Sequence, residues 1–275
     1  MSKPKKAIKS VLFYIVMAAI SLVCIFPFVM MVQISIKPAI YTYNPSVWIF
    51  TPTFENFKKI IEFRNIFSYM LNSLVIVVVT TIISLILGSF AAYGFARFSF
   101  KRRENLAFFI LSQRMLPPIA VVIPFFVMAS LFSLLDSKLI LIIAYMLINI
   151  PFVIWMMRSF FEDIPISVEE SARVEGCSNL QVLYRIVLPL SLPGLIATAI
   201  FCVINSWNEF VFALFLTSMN SRTLPTSVTL FMSVNGVMWG EMAAVGLLAA
   251  TPVIVFAMIV QKNMIRGLTF GAVKE

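Results

Sequence analysis

The chain has 275 residues, 61% of them hydrophobic and 12% charged, with a formal net charge of +9 and a mean hydropathy of +0.99. A water-soluble domain carries about 25% charged residues, so a soluble globular fold is excluded and lipid must solvate much of the surface. Histidine is absent, which removes the commonest general base, the commonest metal ligand and the usual serine or cysteine triad.

Long apolar stretches without charge include residues 10–36, 65–96, 115–135, 139–157, 186–208 and 242–261. Each is near or above the roughly 20 residues that cross about 30 Å of hydrocarbon. They predict six transmembrane helices near 11–33, 70–96, 106–133, 139–160, 189–217 and 242–262, within one membrane domain covering 1–275. The first follows Lys3, Lys5, Lys6 and Lys9. It is too long for a signal-peptide core and lacks a clear small-residue cleavage site, so it reads as an uncleaved span. A polar connection, residues 37–69, follows with Pro45, Pro52 and a possible short helix at Glu55–Phe63.

The third predicted span contains Arg114, about ten residues after Glu104 and so roughly 15 Å along the helix. A cation at that depth is costly and should face a cavity or a partner. Its guanidinium could line a polar path through the membrane, donating to hydroxyls or a carboxylate there, or hold a structural ion pair with Glu209. Pro117, Pro118 and Pro124 read as kinks tolerated by neighbouring helices. Asn149 lies in the fourth span, and Asn205, Trp207, Asn208 and Glu209 in the fifth. Amides and an aromatic face suit a path for a polar solute, but polar groups also glue helices together.

Between the fourth and fifth spans lies a long polar connection, residues 161–188. Pro165 ends the preceding helix, Ser167 could cap the next, and Glu169 and Glu170 suit the first turn of a helix over 168–175. Gly176 permits a left-handed cap or a close backbone approach. A second helical stretch, Asn179–Val187, leads to Pro189. The reading from physics alone is a short helix, a glycine elbow and another short helix, which could equally be a solvated amphipathic connection. Ala172 is small enough for a partner to approach closely.

Six spans put both termini on one side. With the N-terminus inside, the inner segments hold Lys3, Lys5, Lys6, Lys9, Arg97, Lys101, Arg102, Arg103, Arg158, Arg173, Arg185, Lys262, Arg266 and Lys274. The outer segments hold only Lys37, Lys58, Lys59, Arg64, Lys138 and Arg222. The bias predicts N-in, C-in and explains the net charge without nucleic acid. Cys24, Cys177 and Cys202 are too far apart for metal spacing or a disulfide framework and read as small core residues.

Glu170-Ser171-Ala172, Gly176 and then Ile186-x-Leu188-Pro189 resemble the E-A-A…G…I-x-L-P motif of ABC importer permeases, with Ser171 where alanine is usual. Asn72-Ser73, Ala91–Arg97, Met115–Pro118, Trp207–Phe210, Thr223–Pro225 and Arg266–Lys274 extend the likeness over most of the chain. Together they resemble the shorter, six-span permease of the maltose-type carbohydrate importers, of MetI-like fold. The resemblance implies an all-α, multi-pass protein of a bacterial or archaeal plasma membrane, whose loop between spans four and five is a cytoplasmic coupling helix. It implies ATPase coupling through Glu169, Glu170, Ser171, Ala172, Gly176, Ile186, Leu188 and Pro189. It also implies contact between the tail (263–275), at Arg266, Gly267, Gly271 and Lys274, and the ATPases. The implied partners are a second homologous permease, two cytoplasmic ATPases and an extracytoplasmic solute-binding protein.

No phosphate loop of the form G-x-x-x-x-G-K-[S/T] is present, so ATP and Mg are expected on the ATPase chains, with no cofactor and no catalysis in this one. Two alternatives share the sequence evidence. One is a permease of the same fold for another solute, such as glycerol phosphate. The other is an ion-coupled secondary transporter, which would need coupling carboxylates near the midplane.

Overall fold

A computed structural model describes residues 3–234 and 236–269, with side chains at 9–62, 65–234 and 236–261. Among the described residues the fold is helical apart from one small hairpin, Met232–Ser233 (β1) against Gly236–Val237 (β2), which the sequence reading did not foresee. The principal helices are α1 (Lys3–Ser35), α2 (Glu55–Arg64), α3 (Ile66–Arg97), α4 (Arg103–Ser112), α5 (Pro118–Leu131), α6 (Lys138–Glu162), α7 (Ile166–Val174), α8 (Asn179–Val182), α9 (Leu192–Asn208), α10 (Val211–Leu216) and α11 (Trp239–Thr269).

Among the described residues four helices are long and apolar enough to cross a membrane: Lys9–Ser35, Ile66–Arg97, Lys138–Glu162 and Trp239–Gln261. The other two predicted spans are not straight. Arg103–Met115 and Pro118–Leu131 meet at 93°, and Asn179–Leu190 and Leu192–Asn208 meet at 81°. If each bent pair is one crossing, the described residues hold up to six spans. The first bend falls at Pro117-Pro118: a proline forces its predecessor out of the helical region, and Leu116 is accordingly extended at ψ 128°. The second falls at Ser191, just before Pro193 at the start of α9.

Packing divides the chain into two compact units, residues 1–66 with 227–251, and residues 67–226 with 252–275. In the first, Asn56 is buried and its amide donates to the Ser35 and Lys37 carbonyls at 2.8 and 3.0 Å. A Cβ on Gly240 would stand 2.7 Å from that amide, so only glycine fits there. Lys37, which charge counting set among the outer cations, is 1% exposed. Its ammonium donates to the Asn44 carbonyl at 3.1 Å and lies over the Phe50 ring. The 18-residue core of α1 buries nothing within the chain, so lipid or another protein must cover it.

The second unit holds the larger core. The N-terminal half of α6 packs with α3, α5 and α10 through Ile76, Val122, Ala144, Tyr145 and Phe212. Its C-terminal half packs with α3, α7 and α9 through Ala92, Met157, Phe161, Ala172 and Cys202. A Cβ on Gly88 would lie 2.5 Å from the Val153 side chain, so the missing side chain sets how closely α3 and α6 approach.

Candidate functional site

The connection after α6 forms the foreseen pair of short helices, with different caps. Helix α7 begins after Pro165, and Ser167 lies inside its first turn rather than capping it. Its end is a glycine cap: Gly176 adopts φ +91°, its N–H donates to the Arg173 carbonyl, and the Cys177 N–H donates to the Ala172 carbonyl. Nothing lies within 4 Å of a Cβ built on Gly176, so backbone conformation selects glycine there, not crowding. Helix α8 opens with a capping box, Ser178 accepting from the Gln181 N–H while the Gln181 side chain accepts from the Ser178 N–H. The expected helix over Asn179–Val187 widens into a π-helical stretch at Leu183–Val187.

The residues of this hairpin divide by face. Glu170, Ser171, Gly176 and Pro189 are exposed, and Ile186 and Leu188 are half-buried. Glu169 and Ala172, three residues apart and therefore on one helical face, point into the chain at 0% and 6% exposure. Both are among the residues expected to couple to the ATPases, and within this chain their side chains face its own core. Ala172 is small so that α7 can sit against Ala92 and Phe161 of its own core.

Glu169 is the centre of a buried polar cluster. One carboxylate oxygen pairs with the Arg97 Nε. The other accepts from the Tyr93 hydroxyl at 2.8 Å and from Arg173 at 3.2 Å. Arg97, whose side chain is 6% exposed, also donates to the carbonyls of Phe161 and Ile164. These carbonyls lie at and just beyond the C-terminal end of α6, where a helix leaves its last carbonyls without internal partners. One guanidinium thus joins the ends of α3 and α6 to the first turn of α7. Arg173 extends the cluster to α8 through Asn179 at 3.2 Å. Tyr93 stacks edge-on against Phe161 at 6.2 Å. Charge counting had treated Arg97 as one more inner cation; its structural partners lie 64 to 72 residues away in sequence.

The opposite end of α6 carries a second cluster that the sequence reading missed. Asp136, at φ 55°, accepts from the backbone N–H groups of Ser218, Met219, Asn220 and Ser221 and from the side chains of Asn220 and Ser221. Desolvation pushes its carboxyl up, but the four backbone donors outweigh that and hold it at about 2. The same loop is held by Asn72, which donates to the Asn220 and Arg222 carbonyls, and by Ser73, which accepts from the Leu224 N–H at 2.8 Å.

The six path residues fare differently. Asn149 is buried and donates to Ser206 at 2.7 Å, gluing α6 to α9. Trp207 is buried, Asn205 is half-buried, and exposed Asn208 donates back to the Ile204 carbonyl. Glu209 is 9% exposed and accepts from the Phe212 and Ala213 N–H groups, so it caps α10 and does not pair with Arg114. Arg114 opens on a cavity of about 450 Å³ at the first bend, beside Gln113, Leu116, Pro118, Ile150 and Phe212. Its guanidinium lies 4.8 Å from the Phe152 ring centre. No carboxylate among the described residues pairs with it.

Of the tail residues, Arg266 and Gly267 lie in the last turns of α11, while Gly271 and Lys274 lie outside the described residues. Among the described residues no cluster of His, Cys, Asp and Glu could hold a metal.

The family model for "Binding-protein-dependent transport system inner membrane component" matches residues 84–270. A probable ABC transporter permease protein of Sinorhizobium fredii is 37% identical over 274 residues, covering 99% of both chains. The trehalose/maltose transport system permease protein of Thermococcus litoralis is 30% identical, covering 98% of this chain and 99% of that one. Among solved structures, a chain of a bacterial ABC transporter involved in import of the acidic polysaccharide alginate superposes with a TM-score of 0.80. It is 22% identical, over 95% of this chain and 98% of that one, a likeness of fold.

Proposed function

The chain belongs to the inner-membrane components of binding-protein-dependent transport, the MetI-like ABC permeases of the sugar importers. From that premise we propose that it forms half of a translocation path for a sugar or related polyol. A second, homologous permease supplies the other half, an extracytoplasmic binding protein delivers the solute, and two cytoplasmic ATPases drive alternating access. This subunit transmits force and forms a path; ATP and Mg belong to the ATPase chains. Each bent helix pair counts as one crossing, giving six spans with both termini inside, as the Lys and Arg bias favours.

The observation that carries this reading is the two-faced hairpin after α6. Glu169 and Ala172 hold it to the chain, leaving Glu170, Ser171 and the Gly176 elbow facing out. Ile186, Leu188 and Pro189 form its base, and Arg266, Gly267, Gly271 and Lys274 supply a further ATPase contact from the tail. A rigid exposed element at the inner face can take up motion from a docked motor. On the path side, the Arg114 and Gln113 side chains offer planar donors to solute hydroxyls at the bend of the third span. Irregular backbone at membrane depth is stable where it lines a cavity.

A second reading of solute class is favoured by one observation. Arg114 has no carboxylate partner among the described residues, which suits an anionic solute such as glycerol phosphate. An ion-coupled transporter fits less well, because the carboxylate of Glu209, just after α9, is engaged by two backbone amides.

Uptake into proteoliposomes tests the proposal. The membrane complex purified from its source should take up a radiolabelled disaccharide only with binding protein and internal ATP. Uptake driven by an ion gradient without any ATPase would contradict it. Arg114→Ala should raise the half-saturating solute concentration and leave ATPase association intact. A glycerol phosphate preference that disappears in Arg114→Ala would favour the second reading.

A further inference from the structure

The hairpin between α6 and α9 could pass motion into the membrane by two routes. One runs forward through α8 into α9. That route is interrupted twice, by the π-helical stretch Leu183–Val187 and by the 81° bend at Ser191. A π-helical insertion breaks the regular hydrogen-bond ladder, and a bend of this size separates two helical axes. The other route runs sideways through Glu169 into α3, and it has no such break. Helix α3 is continuous from Ile66 to Arg97.

The sideways link is also the more completely bonded. Arg97 spends its donors on a carboxylate of α7 and on two carbonyls at the end of α6. Glu169 receives Arg97, Tyr93 and Arg173. Two of these donors, Tyr93 and Arg97, lie four residues apart at the end of α3. Both ions are shielded from water, at 6% and 0% side-chain exposure, so water cannot replace a lost partner cheaply. Close packing at Gly88 against Val153 keeps α3 against α6 farther along the same two helices.

We propose that Arg97 is the positioning residue that clamps the coupling helix α7 to the end of α3, so that α7, α3 and the end of α6 move as one body. The inference rests on the permease reading for its functional consequence: ATPase motion then enters the membrane through the second span, while the π stretch and the Ser191 bend absorb the mismatch with the fifth. Glu170 and Ser171 meet the motor; Arg97 and Glu169 fix what the motor moves.

Spin labels at Lys101→Cys, just after α3, and Val174→Cys, at the end of α7, report the clamp, with Cys24, Cys177 and Cys202 replaced by serine or alanine. The measurement is made first on the full chain in nanodiscs without ATPase. The otherwise unaltered chain should give one narrow distance distribution; Arg97→Lys and Glu169→Gln should each broaden and shift it, and Tyr93→Phe should do so less. Identical distributions in all four would overturn the clamp, whatever the chain's function. If Glu169→Gln fails to fold, Tyr93→Phe and Arg97→Lys still decide the matter. The second arm uses the assembled importer with ATP and vanadate. The label separation should stay fixed on nucleotide binding, and Arg97→Lys should keep ATP hydrolysis while losing most disaccharide uptake per ATP. A wild-type separation that changes with nucleotide, or parallel loss of hydrolysis and uptake, would overturn the proposal. Failure of any ATPase to co-purify would instead count against the permease reading, leaving the first arm to judge the clamp.

Discussion

Asp136 stands just before α6 and Arg97 lies beside the far end of the same helix, and each gathers backbone groups around one charge. Asp136 collects the amides of a single loop, 218–221, and is partly open to solvent. Arg97 collects two carbonyls and a carboxylate from two helical segments and is almost closed off. The acid fastens a loop; the base joins helices. A partly solvated charge can recruit water when a bond is lost, whereas a buried one cannot, so the two ends should answer very differently to the same kind of mutation.

The largest contrast is expected from removing the buried base. Arg97→Ala leaves Glu169 desolvated beside Tyr93 and Arg173 and should cost about 3–5 kcal/mol, read as lower thermal stability of the chain in detergent. A change below that of any Asp136 variant would erase the distinction between the two ends. Asp136→Asn replaces one accepting oxygen by an amide that cannot accept, and should cost about 1–3 kcal/mol. Hydrogen exchange should then rise at 218–221 and stay unchanged at 161–174.

Acid should open the Asp136 end in the same selective way. Its carboxyl is held at about 2, below the unfolded value of roughly 3.9. A depressed pKa gives a stabilisation fully present above the unfolded value and lost as pH falls through the folded one. Protection of the 218–221 amides should therefore hold down to about pH 4 and fade toward about pH 2. Loss of protection already near neutral pH would show that the carboxylate is not what holds the loop.

The smaller effects sharpen the description of the hairpin itself. Gly176→Val meets no atoms but forces a β-branched residue into the left-handed region, costing about 1–2 kcal/mol. Ser178→Ala removes the cap of α8 and should cost about 1 kcal/mol. Thermal unfolding of the full chain checks both, and the valine variant should be the weaker one.

Much of this molecule was legible in one dimension. Gaps between charges located the apolar helices, because a long uncharged stretch is a local property. The glycine elbow was legible for the same reason: Gly176 follows directly on a short acidic helix. The bends were not. Pro117 and Pro118 announced a kink, but nothing local sets its angle at 93°, and Ser191 carried no signal beyond a proline on either side. The hidden face of α7 was missed because two acids in a first turn look alike in sequence. Only Arg173, four residues beyond Glu169, hinted that this acid had an internal partner. Arg97 and Asp136 could not have been assigned, since each acts through contacts more than 60 residues distant. Arg114 was the converse case: its cost in a membrane marked it, and of the cavity or partner that this cost demands the structure gave it the cavity.

The exposed side of the hairpin offers the most direct check. In native membranes, Ser171→Cys in a chain otherwise free of cysteine can be labelled with a membrane-impermeant maleimide from the cytoplasmic side, before and after the ATPase subunits are stripped away. The account predicts strong protection in the complete assembly and rapid labelling once the ATPases are gone. Equal labelling in both states would mean that no motor grips this helix.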